Sequence, residues 1–277
     1  MRFGIHLAQF GRALSPDSIQ RSARKAEDLG YADVWVSDHL VIPVSQEYPA
    51  PMLADPLVAL SFAAAATDTV GIGTNVLVGP QYASPLQLAN TLATLDYCSN
   101  GRLIVGIGIG WSRLEYEALG AVYRDRGRRL DDIIDLMRTA WTDDPATYDG
   151  EFYSFADMRV LPKPIGPMPI WVGGTSDAAI DRAVERGDGY AGIRVAPDEA
   201  AALVGRIRER RPDEAFTISL RVDWDARNNS VEQIAHERGV YEEAGIQHLL
   251  VAPTRGSVEA WLEGMEVIAG ALGLTRG

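Results

Sequence analysis

The pair of residues that most clearly suggests chemistry is Asp38-His39, which follows the short apolar run 34–36 after a single serine, Ser37. Histidine titrates near neutral pH, so its ring can give a proton to a substrate oxygen or take one from it. A neighbouring carboxylate can orient that ring or bind a donor on a ligand. We therefore predict that His39 is the catalytic group and that Asp38 is its partner or a ligand contact. The alternative is a helix N-cap or a structural hydrogen bond.

A second motif, Gly173-Gly174-Thr175-Ser176, lies just before a predicted helix. Two glycines let the backbone approach a ligand closely, and the start of a helix offers free N–H groups and the positive end of its dipole. The hydroxyls of Thr175 and Ser176 add further donors. This combination is typical of a phosphate-binding loop, although an ordinary turn with a Ser or Thr helix cap has the same residues.

The stretch Gly106-Ile107-Gly108-Ile109-Gly110-Trp111 carries alternating glycines at the end of a predicted strand. It lacks the third-glycine spacing of a dinucleotide-binding fingerprint. Glycines inside a strand indicate either that something large lies against the strand or that neighbouring elements pack closely. Trp111 is placed either to cover a planar ligand or to pack within the loop, and the sequence does not separate these alternatives.

The other histidines favour structural roles. His6 falls on the less apolar face of the first predicted strand, which places it inside the predicted barrel described below, and His236 and His248 lie away from the strand ends where chemistry is expected. No two histidines have metal-ligand spacing, so we predict no metal site. A Gly-x-Ser-x-Gly motif is missing from the sequence, which disfavours a serine hydrolase.

The elements that must position these residues alternate between short β-rich runs and longer amphipathic runs. Strands are predicted at residues 3–10, 34–36, 70–76, 102–107, 170–172, 189–193, 216–222 and 248–251. Helices are predicted at residues 15–29, 56–67, 84–97, 126–141, 176–186, 197–210, 230–243 and 258–272, the first with Ser15 as its N-cap. Eight strand–helix units in this length predict an α/β fold, a single (β/α)₈ TIM barrel over residues 1–277.

In such a barrel the active site lies at the C-terminal ends of the strands. The motifs above fall there, and so do other polar residues: Thr74, Asn75, Arg194, Asp223, Thr254 and Arg255. Two long connections also depart from the bare barrel. Residues 40–54 follow the second strand and residues 142–169 lie between the fourth helix and the fifth strand, so we predict extended, functional loops after strands 2 and 4.

Composition excludes several classes of protein. Apolar residues make up 47% of the 277 residues and the net charge is −12, which disfavours nucleic-acid or anionic-membrane binding because both need a basic surface. The single cysteine, Cys98, cannot form an intrachain disulfide. We see no transmembrane span and no signal-peptide core, and we expect a soluble, cytoplasmic protein.

The chain resembles the luciferase-like oxidoreductase superfamily, and within it the branch that uses the deazaflavin coenzyme F420. The motifs that carry this resemblance are Ala26-Glu27-Asp28-Leu29-Gly30-Tyr31, Val34-Trp35-Val36-Ser37-Asp38-His39, Gly73-Thr74-Asn75-Val76-Leu77-Val78, Ala93-Thr94-Leu95-Asp96, Asn100-Gly101-Arg102, residues 106–111, Pro162-Lys163-Pro164, Trp171-Val172-Gly173-Gly174 and Gly187-Asp188-Gly189. Their order and spacing together make the resemblance specific.

The resemblance implies a cofactor ring near the strand ends. Asp38 and His39 would face the ring and the substrate, and Asn75-Val76 would match a non-prolyl cis peptide behind the ring. The residues implied to line the ring are Gly108, Ile109, Gly110 and Trp111. The residues implied to hold the cofactor phosphate are Gly173, Gly174, Thr175 and Ser176.

The activity implied is hydride transfer between F420 and a small organic substrate. An FMN-dependent luciferase-like monooxygenase and a non-catalytic cofactor-binding barrel are the alternatives. A homodimer is expected from the resemblance alone. Relatives that oxidise a sugar phosphate with F420 carry an acidic proton donor where this chain has Trp111, and Glu115, one turn further on, is a weak substitute.

Overall fold

The computed structural model describes residues 1–46, 52–253 and 256–274. Its strands are β1 (Arg2–His6), β2 (Asp33–Val36), β3 (Gly71–Thr74), β4 (Leu77–Val78), β5 (Leu103–Gly108), β6 (Ala146–Asp149), β7 (Ser154–Met158), β8 (Ile170–Gly173), β9 (Gly189–Ile193), β10 (Thr217–Val222) and β11 (His248–Val251). Its α-helices are α1 (Ser18–Asp28), α2 (Pro56–Ala66), α3 (Pro85–Cys98), α4 (Arg113–Ala118), α5 (Arg126–Thr142), α6 (Asp177–Arg186), α7 (Pro197–Arg208), α8 (Val231–Glu243) and α9 (Val258–Leu272).

Within the described residues, eight parallel strands form a closed barrel, which confirms the predicted (β/α)₈ fold. The order around the barrel is β1, β2, β3, β5, β8, β9, β10 and β11, and the circle is closed by the pairing of β11 with β1. The short strand β4 continues the line of β3 and pairs with the end of β5. The helices cover the outside of the barrel. Because the strands are parallel, their C-terminal ends all lie at one rim.

The interior of the barrel below this rim is filled by aromatic side chains. Trp35 of β2 and Trp171 of β8 stack with their ring centroids 5.2 Å apart. Gly73 is required beside them, because a Cβ there would lie 2.6 Å from the Trp35 ring. Beneath the pair, His248 bonds to both Asp33 and Ser219, and all three side chains are buried.

His6 also faces the barrel interior, as its place in the strand pattern predicts. It is fully buried, and its Nε2 lies 2.9 Å from the Ser37 hydroxyl. Burial, with a smaller effect from the positive charge of Arg221, lowers the pKa of His6 to about 3. A neutral, buried ring held by a hydroxyl is structural, which agrees with the prediction.

Two predicted strands are shorter in the structure. The strand predicted over residues 3–10 ends at His6. Beyond it the backbone N–H of Gln9 donates to the carbonyl of Leu7 and not to a neighbouring strand, and the Gln9 side-chain amide donates to the carbonyls of Ser37 and Ala54. The strand predicted over residues 70–76 ends at Thr74, where the chain turns before β4. The predicted N-cap Ser15 is also wrong: Asp17 is the cap residue, and the Ser15 hydroxyl donates to its carboxylate.

The first long connection, residues 40–54, follows β2 as predicted and brings Leu53 to the cavity described below, and its residues 47–51 lie outside the described residues. The second connection differs from the prediction. The stretch 142–169 is not an open loop, because its centre forms the antiparallel hairpin β6–β7, and it contributes no residue to the cavity described below. The insertion that reaches the rim is instead residues 109–125, which join β5 to α5 and contain α4.

No helix in the described parts of the chain is both long enough and apolar enough to cross a membrane.

Candidate functional site

A cavity of about 670 Å³ opens at the C-terminal ends of the barrel strands. Its lining joins residues far apart in sequence: Phe10, Ser37, Asp38, His39, Leu53, Asn75, Val76, Val78, Gly108, Ile109, Gly110, Trp111, Glu115, Gly173, Gly174, Thr175, Ser176, Ala179, Ala191, Ile193, Arg194, Arg221 and Asp223. Every site residue predicted from the sequence is in this set. The rim therefore brings the motifs together, although this placement does not by itself assign their roles.

His39 is held by Glu115 across the cavity rim. Its Nδ1 lies 2.8 Å from Glu115 Oε1, and the glutamate side chain is 1% exposed. A carboxylate oxygen accepts, so in this hydrogen bond the donor is Nδ1–H of His39. His39 Nε2 has no hydrogen-bond partner among the described residues and is the nitrogen left to meet a ligand.

Helix α4 places Glu115 beside His39. Ser112 caps this helix, and its hydroxyl accepts from the Glu115 N–H at 3.4 Å. Gln46, from the loop after β2, donates to the same hydroxyl at 3.0 Å, which ties the two loops together. The Tyr116 hydroxyl donates to the carbonyl of Ile109 at 2.6 Å and fixes α4 against the end of β5. Sequence reasoning considered Glu115 only as a weak substitute for another acid, because residues 39 and 115 lie far apart in the chain and meet only in the folded barrel.

Asp38 is not the partner of His39, which corrects one of the two roles proposed for it. Its Oδ2 accepts from the Val78 N–H at 2.8 Å and from the Tyr82 hydroxyl at 3.2 Å. Its Oδ1 is buried and has no hydrogen-bond partner among the described residues. Burial, partly offset by these two hydrogen bonds, raises the pKa of Asp38 to about 6. The other role, a contact with a ligand, stays a prediction.

We expect the Asp38→Asn variant to change how stability depends on pH. Because the pKa of Asp38 is raised in the folded state, the folded chain holds this proton between about pH 4 and 6 while the unfolded chain has lost it. The contribution of Asp38 to the free energy of unfolding is therefore greatest below pH 4. About 3 kcal/mol of it is lost as the pH rises from 4 through 6, because the pKa is raised from 3.8 to about 6. Thermal unfolding should show the variant gaining stability over the parent chain across this range. A constant difference between the two proteins would contradict the raised pKa.

The peptide bond between Asn75 and Val76 is cis, as the family resemblance implies. The Val76 side chain lies in the barrel rim against the glycines of two neighbouring strands. A Cβ would lie 2.8 Å from Val76 at Gly108 and 2.6 Å at Gly173. Close packing against Val76 therefore accounts for the absence of a side chain at both glycines, and for Gly108 this is the second of the alternatives that the sequence left open.

Trp111 and Gly110 extend the cavity wall from β5. The Trp111 side chain is 52% exposed, and its ring lies edge-on to His39 with the centroids 6.0 Å apart. Gly110 has a φ of 63°, and a Cβ there would lie 2.6 Å from Val78. An exposed indole beside His39 favours the interpretation that Trp111 covers a ligand over the interpretation that it packs within the loop.

The predicted phosphate-binding loop joins β8 to α6. Gly174 has a φ of 140°, and a Cβ there would lie 2.6 Å from the Cβ of Ala179. The Ser176 hydroxyl caps α6 by accepting from the Ala179 N–H at 3.3 Å, so the capping alternative holds for Ser176. Its hydroxyl hydrogen and the first N–H groups of α6 still face the same end of the helix.

Arg221 lines the cavity and was not predicted from the sequence. The sequence signal that could have found it is a charged residue within a buried strand, on the face that alternates with the apolar one. In β10, Ser219 and Arg221 face the barrel interior, and Leu220 and Val222 pack into the core between the barrel and the helices. Arg194 and Asp223, noted at strand ends, line the same wall. The strand-end residues Thr254 and Arg255 lie outside the described residues.

Comparison with known proteins decides the family. Residues 1–242 match the model of the luciferase-like monooxygenase family. The chain belongs to this family. The superfamily resemblance drawn from the motifs is thereby confirmed.

Among curated relatives of this luciferase-like protein are enzymes named for two cofactors. It is 34% identical over 179 residues to an F420-dependent glucose-6-phosphate dehydrogenase of Kineococcus radiotolerans, a match that covers 64% of this chain and 52% of that one. It is 39% identical over 129 residues to an FMNH(2)-dependent dimethylsulfone monooxygenase of Pseudomonas fluorescens, covering 46% of this chain and 35% of that one. The chain spans at most 65% of the length of the first relatives that it matches.

The fold of this family member agrees with solved structures. An F420-dependent secondary alcohol dehydrogenase, solved with an F420–acetone adduct, superposes with a TM-score of 0.82 at 18% identity, covering 96% of this chain and 98% of that one. At this identity the likeness establishes the shared barrel.

Proposed function

We propose that this protein transfers a hydride between coenzyme F420 and a small organic substrate. The observation that carries the proposal is the buried Glu115 bonded to His39 Nδ1 at 2.8 Å, which leaves Nε2 facing a cavity at the active rim of the barrel. The F420-dependent relatives support the choice of coenzyme.

The residues at the rim fit a flat ring with a phosphate tail. Buried Asp38 Oδ1 lacks a partner among the described residues, so a polar edge of the ring would satisfy it. The Val76 side chain supplies an apolar surface, and the loop 173–176 offers N–H groups and hydroxyls to a phosphate. When bound, F420 supplies the site that accepts or donates the hydride.

The contribution of the protein is then to move a proton as the hydride moves. In the oxidation of an alcohol, His39 Nε2 takes the hydroxyl proton while Glu115 stabilises the resulting positive ring. In the reverse direction the same nitrogen returns the proton to the substrate oxygen. Trp111 and Phe10 would exclude water from the two reactants.

Separate titrations of the purified protein with F420 and with FMN test the proposal. We expect F420 to bind in the micromolar range, with a change in absorbance as the ring leaves water, and FMN to bind more weakly. The Gly174→Val variant is the matched probe of the phosphate-binding loop, because its side chain would occupy the space of Ala179. It should weaken binding of either coenzyme. Micromolar FMN binding without F420 binding would reverse the choice of coenzyme.

An FMN-dependent monooxygenase is the second candidate function. The relative in Pseudomonas fluorescens is named as FMNH(2)-dependent, and both coenzymes carry a phosphate that the loop 173–176 could hold. A barrel that binds cofactor without turnover is the third. It would be favoured by a filled rim, whereas the rim here opens into the cavity described above.

A further inference from the structure

Arg221 is an incompletely paired cation on the inner wall of the cavity. Its side chain is 13% exposed, and its only ion pair among the described residues is with Asp223, at 3.6 Å. That distance is longer than a hydrogen bond, and Asp223 is itself 70% exposed. No hydrogen bond from the guanidinium to any described residue is present.

Two other partly buried arginines of the chain have close hydrogen-bond partners. Arg102 donates five hydrogen bonds of 2.7–3.1 Å to the turns below the barrel. Arg182, 10% exposed, holds both carboxylate oxygens of Asp131. A structural role explains these two side chains, whereas the guanidinium of Arg221 has no acceptor within hydrogen-bond distance among the described residues and is open only to the cavity that it lines.

The position of Arg221 indicates where its missing partner would lie. The side chain lines the cavity at the end of β10 and is only 13% exposed, and its charge is one of the causes that lower the pKa of His6 on β1. Two other carboxylates of the cavity are held by other groups. Glu115 Oε1 lies 2.8 Å from His39 Nδ1, and Asp38 Oδ2 accepts from the Val78 N–H and the Tyr82 hydroxyl.

We propose that Arg221 binds an oxyanion, a carboxylate or phosphate carried by the substrate, and so that the substrate is a small organic anion. This rests on the proposed function, because the cavity must also hold the coenzyme. The coenzyme phosphate is assigned to the loop after β8, two strands away from β10. A guanidinium pairs with a carboxylate or phosphate through two parallel hydrogen bonds, which would orient the substrate relative to His39.

Calorimetric titration with benzoate, phenyl phosphate and the neutral benzamide tests this inference. The probes are added to the F420-loaded protein and to the protein without coenzyme. We expect an anion to bind at least about tenfold more tightly than benzamide. In Arg221→Gln the anion should bind about 10- to 100-fold more weakly, with benzamide and F420 affinities unchanged within about twofold. Arg227→Gln is the control, because that exposed arginine pairs with Asp225 and does not line the cavity.

The outcomes separate the possible sources of the anion. The inference would be overturned if benzamide and both anions bound equally well. It would also be overturned if Arg221→Gln lost affinity for F420 alone, because the guanidinium would then belong to the coenzyme site. If the parent protein bound neither coenzyme, the proposed function would fail, and the titrations without coenzyme would still decide the anion site. If Arg221→Gln did not fold, Arg221→Lys and the discrimination between benzoate and benzamide by the parent protein would decide it.

Discussion

Replacement of His39 by alanine is expected to lower turnover by roughly 10²–10⁴-fold while coenzyme binding persists. The change removes the nitrogen that we propose exchanges the substrate proton, but it leaves the predicted phosphate-binding loop and Val76 in place. Initial rates followed through the coenzyme absorbance, together with a coenzyme titration, measure the two effects separately. Unchanged turnover would remove His39 from the mechanism.

Glu115→Gln is the companion variant, because an amide keeps the size of the side chain and removes its charge. We expect a loss smaller than that of His39→Ala, but at least roughly tenfold in kcat, with a changed pH profile. A role for Glu115 in structure alone would instead lower thermal stability and leave the pH profile of the folded enzyme where it was. His39 is thus tested as the catalytic group and Glu115 as its positioning residue.

A second large effect is expected at Gly106, where the Gly106→Ala variant should lose about 3 kcal/mol of stability or more. A Cβ at this position would lie 1.8 Å from the carbonyl oxygen of Thr74, a backbone atom that cannot rotate away. That carbonyl belongs to the turn before the cis peptide, so the substitution would also displace Val76 from the cavity wall. Thermal unfolding should show a melting temperature lower by roughly 6–12 °C.

The matched control is Gly239→Ala, in the middle of α8. A Cβ there meets nothing within 4 Å, so alanine adds helix propensity without a clash. We expect it to stabilise the protein by roughly 0.5–1 kcal/mol. If both variants melted at the same temperature, the close approach at Gly106 would not govern the stability of the rim.

The fold could be predicted because each strand and helix leaves its own local pattern in the sequence. The helices predicted at residues 56–67 and 84–97 begin where the sequence places them, since Asp55 and Ser84 cap α2 and α3 with side chains that accept from N–H groups of the first turn. Strand ends were harder to place, because β1 stops where Gln9 satisfies two distant carbonyls. Such tertiary competition leaves no trace in a window of neighbouring residues.

The sequence predicted where the site lies better than it predicted which of its residues contact each other. Barrel geometry requires that residues after different strands meet at one rim, and Asp38, Asn75 and Gly174 do line one cavity. The partner of His39 could not be predicted, because 76 positions separate it from Glu115 and the adjacent Asp38 was the nearer candidate. Asp38 turns instead to the N–H of Val78.

The stacked indoles of Trp35 and Trp171 restrict how ligands reach the cavity. They fill the barrel below it, so every ligand enters and leaves through the opening at the rim. Two reactants that share one opening bind in order, because the one bound deeper must enter first and leave last. An enzyme built this way would show an obligatory sequence of arrivals in its steady-state kinetics.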